Sequence, residues 1–480
     1  MSLPRFQSLT QTAGSAAAVD DAPALHVVTF GCQMNKYDSL LVEGRFRKEG
    51  YRVTESMGDA DVVLFNTCSV REHAEARVYS WLGELKHARA TRPDLVIGVM
   101  GCMAQRAEEE IFQRAAHVDV VCGTRQLHNL PALVDELRER RAAGLAPKAA
   151  RVLDTGMGAE VAVERAGEPY TGGIAGYLAV MRGCDLNCTF CIVPKTRGRV
   201  QSRPIPDLVR EAQWMVEGGA RVLTLLGQTV NSYGEDLAKD DTGRWRGRQG
   251  RPSLADLLYA LEDVRGLERV RLITLHPSYV TEALAEALRD CSKTDAFVPL
   301  PVQSGSDDVL RRMKRGYTTD LYRRRIDLLR EAVPTIELGT DWIVGFPGET
   351  DGDFDASERF LEEIGHVQSY VFKYDPRPET RSFSMTDDVP VAVKKERNQR
   401  LLWTAERVAL ARHERWIGET VEVFVESVSP KRPDTCRGLS RHGIPVSVRG
   451  STADVGQSLR VSIGEASPFG LSGARVETGA

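Results

Sequence analysis

No stretch of the 480-residue sequence approaches the ~20 consecutive apolar residues that a helix needs to cross a bilayer, which argues against a membrane role. The first 24 residues lack an apolar core, hold a single arginine and carry an acidic pair at Asp20 and Asp21, so they fit neither a secretory nor a transit peptide; residues 1–24 read as a disordered tail. An excess of one charge is missing too. The 63 Lys and Arg against 67 Asp and Glu leave a formal net charge of -4, so any RNA contact has to come from local basic patches. Nine cysteines, an odd number spread over a long chain, argue against a disulfide framework and for reduced thiols used as metal ligands, hence for the cytoplasm. The length suits about three domains at ~150 residues each.

Three of the cysteines stand together. Cys184, Cys188 and Cys191, in RGCDLNCTFC, form a Cys-x3-Cys-x2-Cys loop. Structural zinc wants four ligands, usually from paired Cys-x2-Cys knuckles, and no second knuckle is present. Three thiolates leave a four-iron cluster one ligand short, and an iron without a protein ligand can bind a small molecule. The spacing resembles the signature of radical S-adenosylmethionine enzymes.

Residues 25–140 alternate β-rich runs (HVVTF, VVLFN, LVIGVM, VDVVC) with amphipathic stretches, the pattern of an open parallel α/β sheet with covering helices. Cys32, Cys68 and Cys102 each lie just past one of these runs. In a parallel sheet those ends share one edge, where such folds bind ligands, so the three thiols are expected to converge as a second cluster site. Cys122 ends an unbroken apolar run and reads as core rather than as a fourth ligand, and Cys291 and Cys436 read as ordinary buried residues.

Residues 141–169 lack periodicity and look like a linker. From 170 to 403, six strand-like runs (YLAVM, RVLTLLG, RVRLITL, AFVPLPV, ELGTDWIVGF, SYVFKYD) alternate with helical segments, which suits a partial (β/α) barrel with the cysteine loop after its first strand. The polar stretch 234–253 reads as an exposed insertion. Residues 406–478 turn to short strands with Gly and Pro turns, a small β-barrel. Its bunched Lys431, Arg432, Arg437 and Arg441 suit a phosphate backbone or a solvated loop.

The motifs TFGCQMNKYDS, NTCSVREHAEARV, GCMAQ, GCDLNCTFCIVPKTRGR, LLGQTVNSYG, LPVQSGSDDVLRRMKRGYT, WIVGFPGET and YDPRPET follow one another in the order found in the methylthiotransferases of the radical S-adenosylmethionine superfamily. The chain resembles their MiaB-type branch, which acts on transfer RNA, almost end to end. The Asp375 and Glu379 positions depart from a YSPRPGT-like pattern, and Thr229 stands where Asn is common.

The resemblance implies two 4Fe-4S clusters and S-adenosylmethionine. Cys184, Cys188 and Cys191 would hold the cluster that binds and reductively splits the cofactor, and Cys32, Cys68 and Cys102 an auxiliary cluster carrying the sulfur to be inserted. The implied product is a methylthio group on carbon 2 of N6-isopentenyladenosine beside the anticodon. The implied partners are a tRNA anticodon stem-loop and an electron donor such as flavodoxin or ferredoxin, acting on a monomer. The C-terminal segment resembles the TRAM module of RNA-modifying enzymes.

Strand-end positions make Gly227, Gln228, Gln303, Ser304, Asp341 and Gly345 the candidate cofactor contacts, although a barrel glycine is as often a tight corner. Lys195, Arg197, Arg199 and Arg203 are placed to meet phosphate or a cofactor carboxylate. Arg311, Arg312, Lys314 and Arg315 read as a solvated basic face. The rival expectations are a methylthiotransferase of threonylcarbamoyl adenosine or of a ribosomal-protein aspartate and, from another class, a zinc-stabilised RNA-binding protein without redox chemistry.

Overall fold

The computed structural model describes residues 22–69, 72–158 and 170–476, with the side chains of 72–74 left out; most of the expected tail lies outside the described residues. The chain divides into two compact units, the first holding residues 1–173, 182–185 and 192–201 and the second the remainder.

The first unit is built on six parallel strands: β1 Ala24–Phe30, β2 Arg52–Val53, β3 Val62–Thr67, β4 Val96–Met100, β5 Val120–Cys122 and β6 Val152–Asp154, in the order β2-β1-β3-β4-β5-β6. Alternation along β3 explains the layering. Val62 and Leu64 face a core that includes Val42 and Phe46 of the helix Gln33–Lys48, whereas Val63 and Phe65 face a second core with Leu82 and Phe112. Both faces of the sheet are thus covered, as a parallel sheet requires. The stretch expected to be linker contributes more than a connection. Residues 152–154 pair in register with β5, and the helix Pro147–Ala150 precedes them.

In the second unit, β7 Ala175–Ala179, β8 Val222–Leu226, β9 Arg269–Leu272, β10 Phe297–Pro299, β11 Glu337–Val344 and β12 Gln368–Lys373 are the six expected strands, parallel and consecutive in two groups of three. The Leu275 amide donates to Pro299 O at 3.1 Å, and Val270 bridges Thr294, which links the groups into a partial barrel.

 Helices follow the strands, and their starts are written locally: Ser253 with Asp256, and Thr350 with Asp353, form reciprocal caps at Leu254–Glu262 and Asp351–Ile364. The insertion 234–253 is largely exposed from 235 onward.

The helix Val391–Glu414 runs through the expected boundary at 403–406 and leads into a closed five-stranded barrel. Its strands are β13 Thr420–Ser429, β14 Arg432–Ser440, β15 Pro445–Arg449, β16 Ser458–Ser467 and β17 Gly470–Arg475, in the order β13-β14-β15-β17-β16. Alternate residues Val421, Val423 and Val425 fill its interior with Val446, Val448, Val461 and Ile463. No helix among the described residues is long and apolar enough to cross a membrane.

Candidate functional site

In the first unit, three strand ends deliver three thiols. Cys32 caps the helix Gln33–Lys48 after β1, Cys68 follows β3, and Cys102 opens the helix Cys102–Ala107 after β4. The convergence is tight. Gly31 has φ +139, and a Cβ there would lie 2.7 Å from the Cys68 Cβ. Gly101, at φ +88, lies so close to Asn66 that a Cβ would collide with its Oδ1. Asn66 is the tie between the loops. Its Nδ2 donates to Asn35 O (2.7 Å) and Ser39 Oγ (3.0 Å), and its Oδ1 accepts from Asn35 Nδ2 (2.9 Å). The Cys32 thiol in turn donates to Asn35 Oδ1 at 3.2 Å.

The thiols also act on one another electrostatically. A hydrogen bond from Cys68 is the largest influence on Cys32; with the Arg197 charge it outweighs desolvation and brings this thiol down to about 6. Burial pushes Cys102 up, opposed by Arg197. Cys122, by contrast, is fully buried in the core below β5 and its thiol is raised far above the usual range by burial, as suits an inert residue. Among the described residues, no three His, Cys, Asp or Glu side chains stand close enough to share one metal ion. A four-iron cluster makes a different demand, since each thiolate meets its own iron, and three thiols on one sheet edge, none of them in a disulfide, fit it.

Arg197 does not reach outward, as its place in a basic run suggests. It is 4% exposed, and its Nη2 donates to Asp38 Oδ2 at 2.8 Å. The segment that carries it is bolted down by Arg125, which donates to Arg197 O from Nε (3.1 Å) and Nη2 (2.8 Å) and to Arg199 O (3.0 Å), and by Thr124 Oγ1 on Thr196 O (2.5 Å). Arg199 is exposed, beside Asp185. In this unit the Cys184 amide donates to Gly198 O at 3.1 Å.

Cys188 and Cys191 belong to the second unit, where the Cys191 amide donates to Cys188 O at 3.2 Å. Arg315, read above as part of a solvated face, is buried and places Nη1 3.2 Å from the Cys188 Sγ. Its Nη2 donates to Pro301 O and its Nε to Tyr317 Oη, both at 3.2 Å. Arg203 likewise turns inward, to Ala179 O (3.0 Å) and Glu211 (2.6 Å).

The candidate cofactor residues separate into groups. Gly227 and Gln228 follow β8, and the buried Gln228 Oε1 has no hydrogen-bond partner among the described residues. The Gln303 amide donates to Asp341 O at 2.9 Å, and Gln303 holds φ +73, an uncommon conformation for a non-glycine residue. Ser304 bonds Ser357 Oγ at 3.2 Å and accepts from the Ser306 amide, the work of a loop cap. Gly345 donates its amide to Glu349 Oε1 at 2.8 Å, and Arg397 Nη1 meets the same oxygen at 2.8 Å. Asn66, Asp38, Arg125 and Arg315 are the site residues that sequence reasoning missed. Asn66, Asp38 and Arg315 lie inside the motifs NTCSVREHAEARV, TFGCQMNKYDS and LPVQSGSDDVLRRMKRGYT, a signal that could have found them, whereas Arg125 lies in none.

A partial parallel barrel with a three-cysteine loop after its first strand defines a radical S-adenosylmethionine domain, and residues 178–361 match the Radical SAM superfamily. Residues 24–123 match the family described as Uncharacterized protein family UPF0004. Solved structures share the fold: the radical S-adenosylmethionine methyltransferase TsrM from Kitasatospora setae superposes with a TM-score of 0.52 at 15% identity over 73% of each chain. Among curated relatives, the tRNA-2-methylthio-N(6)-dimethylallyladenosine synthase of Rhodopirellula baltica is 40% identical over 85% of this chain and 84% of its own. That of Alkalilimnicola ehrlichii is 39% identical over 94% of this chain and 96% of its own. The chain belongs to the family of tRNA-2-methylthio-N(6)-dimethylallyladenosine synthases.

Proposed function

We propose that this protein methylthiolates carbon 2 of N6-dimethylallyladenosine beside the anticodon of tRNA, with S-adenosylmethionine and two four-iron clusters. The observation that carries the reading is the meeting of Cys32, Cys68 and Cys102 at one sheet edge in a chain that also bears the Cys184, Cys188, Cys191 loop. Cluster chemistry there supplies one-electron reduction of S-adenosylmethionine and delivery of sulfur. The protein's own residues hold and orient. Arg315 orients the Cys188 sulfur with a hydrogen bond from its guanidinium. Gln228 offers Oε1 to a cofactor donor, with Gln303, Asp341 and Gly345 completing the polar rim at the strand ends. Ser304 supports the loop. The closed C-terminal barrel grips the tRNA through its exposed Lys431, Arg432 and Arg437.

Iron and sulfide analysis of anaerobically reconstituted protein tests the cluster count. About eight irons per chain are expected, and about four would remove the auxiliary site. Changing Cys184, Cys188 and Cys191 to Ala abolishes cofactor cleavage; changing Cys32, Cys68 and Cys102 to Ala spares cleavage and stops sulfur insertion. Methylthio product from the second variant would overturn the assignment.

A further inference from the structure

The carboxylate of Asp38 is fully buried between two guanidinium groups. Arg197 Nη2 lies 2.8 Å from Oδ2 and Arg182 Nη1 3.0 Å from Oδ1, with the two arginine side chains only 4% and 10% exposed. One negative charge therefore faces two positive ones. Elsewhere a buried arginine is closed the other way: Arg397 meets both Glu349 (2.8 Å) and Asp351 (2.7 Å). A buried guanidinium N–H left without an acceptor is costly.

The geometry shows where an acceptor for Arg197 belongs. Arg197 ends the short helix Val193–Arg197, which packs against the helix opened by Cys102. The Arg197 charge acts on both the Cys102 and the Cys32 thiols. Its Nη1 is buried and has no hydrogen-bond partner among the described residues. Tethering does not explain the side chain, because Arg125 and Thr124 already hold this segment through its backbone carbonyls.

We propose that Arg197 is a positioning residue that donates from Nη1 to sulfur of the cluster held by Cys32, Cys68 and Cys102, and that Asp38 limits how much of the paired arginine charge this cluster feels. The inference rests on the auxiliary-cluster reading above. Hydrogen bonds and positive charge at cluster sulfur favour the reduced, more negative state and raise its potential. Arg197 and Asp38 therefore pull that potential in opposite directions.

The test uses the full chain with Cys184, Cys188 and Cys191 changed to Ala, so that only auxiliary iron remains. Iron content is measured first, followed by a redox titration monitored by electron paramagnetic resonance. Absence of iron in this parent would sink the cluster reading itself. With iron present, R197Q is expected to lower the potential and D38N to raise it, whereas a purely structural pair would weaken cluster loading in both without an opposed shift. Where R197Q does not load iron, R182Q removes one charge from the same pair without touching Arg197 and is expected to lower the potential. An unchanged potential in R197Q, or in R182Q where R197Q holds no iron, would overturn the proposal.

Discussion

Glu379 shows how one side chain can sit against its backbone. It stands where the resembled motif has glycine, and it adopts φ +68, in the left-handed region that costs an L-residue roughly 1 kcal/mol or more. The residue is exposed, so the contacts of its carboxylate are worth little against that cost. Glu379→Gly is expected to stabilise the protein by about 1 kcal/mol, read as a higher urea midpoint with an unchanged slope. A lower midpoint would mean that the carboxylate contributes more than the backbone strain takes away. The same reasoning reverses at Gly31, where the strained φ and the nearby Cys68 leave no room for any side chain.

At the scale of elements, the C-terminal barrel is fastened to the partial barrel by arginines of β9. Arg269 is fully buried; its Nη1 donates to Leu439 O (2.8 Å) and its Nη2 to Glu422 Oε1 (2.9 Å), while Arg271 bonds Asp295 (3.2 Å) and Glu426. Arg269→Ala strands these acceptors and is expected to cost about 3 kcal/mol, with faster proteolysis between the helix Val391–Glu414 and the barrel. Unaltered stability would show that water replaces the guanidinium freely. The strands themselves were legible because short apolar runs bounded by turn residues suit buried parallel strands, and Cys32, Cys68 and Cys102 because each follows such a run. β6 was not, since Val152 and Leu153 form a lone apolar pair between Arg151 and Asp154, and Val152–Asp154 becomes a strand only by pairing with β5. Arg197 and Arg315 were misread because a charged residue in a basic run is normally solvated. Their partners, Asp38 and Cys188, lie 159 and 127 residues away, and only the folded chain brings them together.

Across the second unit, two buried histidines and one half-buried histidine set an acid limit. Burial, aided by neighbouring arginines, brings His276 down to about 2, His366 to about 3 and His442 to about 4. Arg315 faces His276; Arg330 and Arg412 face His366; Arg441 and Arg269 face His442. Above the unfolded value of about 6.5, both states are neutral and these groups contribute no pH dependence. Below it the unfolded chain takes up protons that the folded chain refuses, so stability falls with pH until the folded value is reached. Each histidine contributes about 1.4 kcal/mol per pH unit inside that window. Buried Asp295, Glu337 and Glu349 have raised values and oppose this slope by taking protons first in the folded state. A variant therefore isolates the histidine effect better than the wild type alone. His366→Phe loses the 2.9 Å contact with Tyr322 Oη, an offset that does not vary with the histidine proton. Urea unfolding of metal-free protein between about pH 6 and pH 5 is expected to give a slope shallower by about 1.4 kcal/mol per unit in the variant. Equal slopes would mean that His366 accepts a proton in the folded state, and that its burial beside Arg330 and Arg412 does not hold it neutral.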